Sequence, residues 1–348
     1  MRTSRVSGQS APTHCRTLRG AIRGIVMIYA EVTQFGNSEQ IHFLESADPV
    51  VSDGQLLIEI QSAGINFSDI MARLGVYPDI PRPPFRPGFE VAGRVTSIGK
   101  GVKGFSVGDG IAAIMLAGGG YATHAVVDAN TAIKLPPGLD FDLAAGLMVQ
   151  GLTAYLLLKE AAAGRDDTVL ISAAAGGVGS LAVQIAKRRG ARVVGLASQA
   201  KHTFIKTLGA DVAIDYGSTG WSQSVMSATK NKGVSVYLDS FGDLEQGAAS
   251  MATFGRWFLY GMRDQRTATA APGQFAGHLL EKNVTLRGYT LQSSFQHVPL
   301  ALKDLFAWVA DGSLKIEVTR YPLKDAAKAQ DDFAARKTTG KVILKPFA

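Results

Sequence analysis

The sequence predicts an α/β protein in which a doubly wound parallel sheet domain is joined to a second, mostly β domain. Three observations carry this expectation. Residues 168–198 read as one strand, turn, helix and strand, with glycines at the turn. Strands keep alternating with helical or glycine-bearing segments as far as Tyr289. The length of 348 residues fits two domains at the usual ~100–200 residues each.

Residues 1–26 stand apart from the rest. They hold Arg2, Arg5, Arg16, Arg19 and Arg23, are rich in Ser and Thr, and contain no acid. That composition is the one found in organelle transit peptides, while Met27-Ile28-Tyr29-Ala30 reads as a natural start. The segment is therefore expected to be a disordered extension outside the fold, with a cytoplasmic location for the body and organelle import only if the extension is a genuine transit segment. Its five arginines account for all but +2 of the net charge of +7. The body is nearly neutral, which gives no basis for a nucleic-acid surface. Cys15, the single cysteine, also lies here, so no intrachain disulfide or cysteine metal cluster can form.

From Tyr29 to Gly138 the pattern is one of short strands and turns. Leu56–Ile60, Val91–Ile98 and Ala122–Val127 are apolar runs punctuated by glycine, and prolines crowd Pro78–Pro87. Leu143–Leu158 is apolar but falls short of the ~20 residues needed to span a bilayer, and reads as a buried helix. Beyond Gly151, strands are expected at Thr168, Ala191, Val212, Val234, Trp257 and Val284–Tyr289. A helix at Leu300–Asp311 and strands at Lys315–Val318 and Lys341–Leu344 complete the chain.

The turn after Ile171 carries the chemistry. Ala174-Ala175-Gly176-Gly177-Val178-Gly179 has A-x-G-x-x-G form, with Ala in place of the usual first glycine. Gly176 would let the backbone approach a phosphate, Gly179 would let the helix pack close to the sheet, and the helix N-terminus offers N–H donors and partial positive charge. Taken alone the string also fits a tight turn of another α/β protein. The next strand ends at Ser198, where a dinucleotide fold reads the adenosine ribose, and Lys201 follows. A carboxylate there would select NAD, whereas a hydroxyl and an ammonium suit a 2′-phosphate. NADPH is therefore the expected cofactor, unless Lys201 is simply a solvated helix residue.

The strings GINFSDIMARLGVY, RPGFEVAGRVTSIGKGV, GLTAYLLL, AAAGGVGSLAVQIAK, ASQAKHTFIKTLGADVAIDY, VYLDSFG and TTGKVIL occur in that order. In this the chain resembles the zinc-independent quinone oxidoreductases of the medium-chain dehydrogenase/reductase superfamily, which include zeta-crystallin-like and vesicle-amine-transport-protein-like members. The resemblance implies a GroES-like catalytic domain over residues 27–150 and 289–348, split by a Rossmann NADPH-binding domain over residues 151–288, with ligands between them. It also implies a homodimer acting on a small molecule: a quinone or, by likeness to polyketide enoyl reductase domains, an enone or enoyl thioester. The vesicle-protein-like members suggest a third reading, an interaction protein with little catalysis. The zinc-containing branch has a Cys where this chain has Asn66 and a His where it has Phe89. Two of the three ligands a catalytic zinc needs are thus missing, and a metal-free site is expected.

Without zinc, the site must rely on hydrogen-bond donors and on positioning. By resemblance Asn66 faces the nicotinamide and the substrate oxygen. Tyr77 either donates a hydrogen bond or proton or packs beside Pro78. Asp69 matches the pattern as well, but sits near the start of a helix beginning around Ser68, where a carboxylate commonly offsets the dipole. Met71 stands where many quinone reductases have Tyr, which makes the pocket more apolar. On the cofactor side the resemblance assigns Thr153 to the nicotinamide amide and Tyr216 to the adenosine end. Ser240 and Tyr260 follow later strand ends, where open α/β sheets hold ligands. Lys341 belongs to the family's terminal Gly-Lys string, and is either a cofactor contact or a solvated lysine.

Overall fold

A computed structural model describes residues 26–77, 82–261 and 272–348. The expected extension, apart from Val26, lies outside the described residues, as do residues 78–81 of the proline-rich stretch.

The apolar runs of the second half form six parallel strands. Their order across the sheet is Val212–Asp215, Arg192–Ala197, Thr168–Ile171, Val234–Asp239, Met251–Leu259 and Thr285–Gly288. Strands buried on both faces need apolar side chains on both, which is why Val169, Leu170 and Ile171, or Val193 and Val194, stand in unbroken runs and are inaccessible. Chain order reverses between Thr168–Ile171 and Val234–Asp239. Such a switch opens a crevice at the strands' carboxyl ends, into which the glycine turn projects.

The first half supplies most of a seven-stranded, largely antiparallel sheet. Its path runs Val318–Pro322, Lys341–Lys345, Gln55–Ile65, Glu90–Ile98, Gly110–Ile114 and Ile133–Lys134, and His124–Asp128 also pairs with Gln55–Ile65. Register shifts between Leu57 and Ile58 and between Ile60 and Ser62 mark irregularities in the long central strand, of the kind that bend a strand. Val26–Val32 and Ile41–Ala47 form a separate antiparallel ribbon. One strand lies later than the sequence suggests: Val318–Pro322 rather than Lys315–Val318, because parallel pairing with the last strand begins at Val318 opposite Lys341.

The expected buried helix runs Phe141–Glu160, 20 residues of which the most apolar 18 have a mean hydropathy of 1.5. It is longer than its uncharged core and meets the length and composition of a membrane span, yet 83% of its most apolar 18 residues are buried inside the protein. It is a core helix. Asp140 caps it by accepting from Asp142 N and Leu143 N. Midway, Leu147–Gly151 adopts a wider π turn between the α segments Phe141–Gly146 and Leu152–Glu160, a local widening often found at functional sites.

Candidate active site

A single cleft gathers residues of both sheets. Asn66, Tyr77, Thr153, Gly176, Gly177, Val178, Gly179, Ser198, Lys201, Tyr216, Ser240 and Tyr260 all line it. Asp69 and Lys341 do not: both are buried behind the wall.

The glycine turn follows directly from its residues. Ala173 takes a left-handed φ of +46°, turning the chain out of the strand, and the helix Gly177–Arg188 starts four residues later. A Cβ on Gly179 would lie 2.2 Å from the Ala173 carbonyl oxygen, so the helix sits as close to the turn as glycine permits. A Cβ on Gly177 would lie 1.6 Å from Gln150 Oε1. Gln150, from the π turn, occupies the space that this missing side chain leaves. Its Nε2 donates to Ile65 O at 3.2 Å, which fixes the amide's orientation, and its Oε1 is buried without a hydrogen-bond partner among the described residues.

At the other end of the cleft Ser198 ends the strand Arg192–Ala197 and Lys201 follows. Lys201 Nζ donates to Arg336 O at 2.9 Å and to Thr338 O. Arg336 places its guanidinium 5.1 Å from the Tyr216 ring centroid and Nη1 3.3 Å from the Tyr216 hydroxyl. Tyr216 in turn meets Phe241 edge-on at 5.1 Å. Ser240 is held by its neighbour strand: its N–H donates to Ser172 Oγ at 2.6 Å, and the two hydroxyls lie 2.9 Å apart. Just before it, Asp239 accepts from Phe241 N, Gly242 N, Tyr237 Oη and Trp257 Nε1, and burial pushes its carboxyl up to about 6.

On the opposite wall Asn66 precedes the helix Phe67–Arg73. Asp69 Oδ2 accepts from Asn66 N at 2.7 Å and Oδ1 from Gly88 N at 3.1 Å. Burial pushes its carboxyl up to about 7. Asp69 therefore pins two backbone segments beneath the cleft and touches nothing inside it. Lys341 is neither solvated nor in the cleft. Its Nζ donates to Ile65 O, Asn66 Oδ1 and Glu90 Oε1, and burial lowers its affinity for the proton. Tyr77 packs against Phe89, ring centroids 5.9 Å apart, and both line the cleft with Phe67, Met71, Ile114 and Leu116. Among the described residues no three His, Cys, Asp or Glu side chains converge on a possible metal position.

Sequence reasoning missed Gln150, Arg336 and Glu90. Glu90 directly follows Phe89, and Arg336 stands five residues before Lys341, so both had a visible signal.

The alcohol dehydrogenase GroES-like domain family matches residues 52–137, and the zinc-binding dehydrogenase family matches residues 177–308. Quinone oxidoreductase 1 of Escherichia coli (strain K12) is 31% identical over 335 residues, 91% of this chain and 98% of the relative. The chain belongs to the zinc-independent quinone oxidoreductases of the medium-chain dehydrogenase/reductase superfamily. The crystal structure of Escherichia coli quinone oxidoreductase complexed with NADPH superposes with a TM-score of 0.85 at 30% identity, covering 92% of this chain and all of that one. Prostaglandin reductase-3 of Bos taurus is 33% identical over 316 residues, 85% of this chain and 82% of the relative. As a member of this family, the chain is an NADPH-dependent oxidoreductase with a GroES-like and a Rossmann-type domain.

The residues present fit that cofactor. The side-chain-free turn at Gly176 and Gly177 lies at a helix N-terminus, where first-turn N–H groups lack intrahelical partners and suit a pyrophosphate. Gln150 Oε1 offers a buried acceptor to a hydroxyl or amide donor. Ser198, Lys201 and Arg336 bring a hydroxyl and two cations together on one stretch of the cleft wall, a donor set that suits a phosphate.

Proposed function

We propose that this protein reduces a quinone with NADPH, without zinc. When bound, NADPH supplies a hydride from its nicotinamide. The chain's own contribution is to hold the acceptor in an apolar chamber and to stabilise the negative charge that develops on its oxygen. The carrying observation is the apolar lining of the cleft, to which Phe67, Met71, Tyr77, Phe89, Ile114 and Leu116 contribute together with Asn66. A flat, apolar conjugated carbonyl suits such walls, and a single amide N–H suits its oxygen. Closing these walls on the ligand excludes water, which strengthens that hydrogen bond.

Tyr77 supports a second reading, reduction of an enone or enoyl thioester, to which the likeness to prostaglandin reductase-3 also points. Alkene reduction needs a proton delivered to carbon, and the phenol of Tyr77 on the cleft wall could supply one. Quinone reduction needs no such placed donor. NADPH consumption measured on a panel of quinones, enones and enoyl thioesters separates the two. Turnover of quinones alone, retained in Tyr77→Phe, supports the first; turnover of enones lost in Tyr77→Phe supports the second. Tight NADPH binding with no turnover on any of them defeats both.

The same proposal assigns residues 27–150 and 289–348 to substrate and 151–288 to cofactor, a cytoplasmic location, and a homodimer. For the dimer, the sheet edge at Thr285–Gly288 pairs only with Met251–Leu259 among the described residues, and Phe254 and Leu280 are exposed nearby in sequence. Light scattering of the purified chain gives its mass directly.

A further inference from the structure

Behind Asn66 lies a buried ion pair that the cofactor and substrate contacts do not use. Lys341 is 1% exposed and Glu90 fully buried. The fold makes room for them with glycine: a Cβ on Gly64 would lie 2.2 Å from Glu90 Oε1, and one on Gly146 3.3 Å from Lys341 Cγ. Glu90 Oε2 accepts from Val149 N of the π turn at 2.7 Å, and Oε1 accepts from Asn66 Nδ2 at 2.7 Å and from Lys341 Nζ. Lys341 also donates to Ile65 O at 3.0 Å and to Asn66 Oδ1 at 3.2 Å. An ammonium has three donors. All three are taken, so none is left for a cofactor phosphate.

Burying such a pair is rarely the most stable choice, since apolar residues of similar volume often do as well or better. What this pair does is fix the Asn66 carboxamide. Flipped by 180°, the amide would set Oδ1 against the Glu90 carboxylate and Nδ2 against the Lys341 ammonium, two repulsive contacts in a dry site. Only one orientation is allowed. In it one Nδ2 hydrogen is held by Glu90, and the second remains for the cleft that Asn66 lines.

We propose that Glu90 and Lys341 are positioning residues that lock the Asn66 carboxamide with its second Nδ2–H directed at the substrate oxygen. This rests on the reduction of a conjugated carbonyl proposed above. The pair acts through Asn66 alone and contributes to turnover rather than to cofactor affinity.

The test is the double variant Glu90→Gln/Lys341→Met, which removes both charges at nearly constant volume. The introduced glutamine amide would keep its oxygen for Val149 N and turn its NH2 toward Asn66, so that Asn66 flips and loses its aim. Turnover should fall at least tenfold, while the NADPH dissociation constant, read from nicotinamide fluorescence, stays within about twofold. In an Asn66→Ala background the same double substitution should change turnover less than twofold, because groups acting as a unit are not additive. Unchanged turnover in the folded double variant overturns the proposal. So does a weakened NADPH affinity with turnover intact, or an equal loss in the Asn66→Ala background. If the double variant does not fold, the wild-type protein without cofactor decides by NMR of its side-chain amides. One Asn66 Nδ2 proton, the one held by Glu90, should be strongly protected from solvent exchange, and exchange of both protons at the rate of an exposed amide overturns the lock. This signature does not depend on any acceptor, so a wild-type protein inactive on the whole panel would refute the reading of function and leave the lock decided separately.

Discussion

Lys201 and Thr338 join the two sheets. Nζ of the lysine, which follows the parallel strand Arg192–Ala197, donates to the Thr338 carbonyl just ahead of Lys341–Lys345, the last strand of the seven-stranded sheet, and at 2.9 Å to Arg336 O as well. The ammonium is thereby held at the cleft wall beside Ser198 and Arg336.

That placement makes Lys201 and Arg336 the expected ligands of the 2′-phosphate. A hydrogen bond to a charged group contributes about 1.5–3 kcal/mol, or roughly ten- to a hundredfold in affinity. Lys201→Ala and Arg336→Ala should each weaken NADPH by about that factor and leave NADH within a fewfold. Titration of both dinucleotides against both variants checks this. Equal losses for the two cofactors would mean that these cations serve only to tie the sheets together.

Two glycine substitutions should separate packing from binding. In Gly179→Ala the new methyl meets the Ala173 carbonyl oxygen, which is backbone and cannot step aside, so the helix must shift. A loss of about 1–3 kcal/mol in stability is expected from overpacking. In Gly177→Ala the obstacle is the Gln150 side chain, which can move, and the cost should appear chiefly as weaker NADPH binding. Thermal melts and fluorescence titration of the two proteins will show whether the effects divide in this way.

The protein should carry no stoichiometric zinc and keep its activity in chelator, because Asn66 and Phe89 stand where metal ligands would be needed. Elemental analysis that found one zinc per chain, with activity lost on its removal, would refute this.

The stabilisation contributed by Asp69 and Asp239 should decline as pH rises from 5 to 8. Burial holds Asp69 up to about 7 and Asp239 up to about 6, above the ~3.9 of an unfolded aspartate. The folded chain keeps protons that the unfolded chain releases, so this stabilisation is complete below about pH 4 and is lost as pH passes through the two folded values. In Asp239→Asn the amide oxygen can still accept from Phe241 N and Gly242 N, and only the Trp257 N–H loses its acceptor. The variant should be less stable by about 1–3 kcal/mol at pH 5 and show a shallower decline toward pH 8. A decline as steep as that of the wild type would count against a protonated Asp239.

The parallel sheet was legible because both of its signals are local. Apolar runs mark strands buried on both faces, and the spacing of Gly176 and Gly179 marks the turn between strand and helix. The environment of Lys341 was not legible. Its burial depends on Gly64, Glu90 and Gly146, which come from three distant segments, and a lysine near a strand start looks solvated until those are assembled. Gln150 was hidden differently. It lies inside an apolar stretch that reads as ordinary helix, and only the π turn brings its amide over Gly177. Asp69 showed its helix position plainly, but its second tie, to Gly88 N, could not be read from spacing.

The backbone of Gly340 donates to Ala175 O at 3.0 Å, so the glycine turn is completed by a segment about 100 residues past the strand Val234–Asp239. A ribosome delivers chain from the N-terminus onward at about 5–20 residues per second. Residues 336–341 emerge after all six parallel strands, and they bring with them Arg336, the carbonyls that hold Lys201, and the lysine behind Asn66. The nascent protein can therefore assemble its nucleotide sheet early and still have an incomplete site for NADPH. The last residues of the cleft wall to be made lead straight into the strand Lys341–Lys345, which joins Val318–Pro322 to Gln55–Ile65.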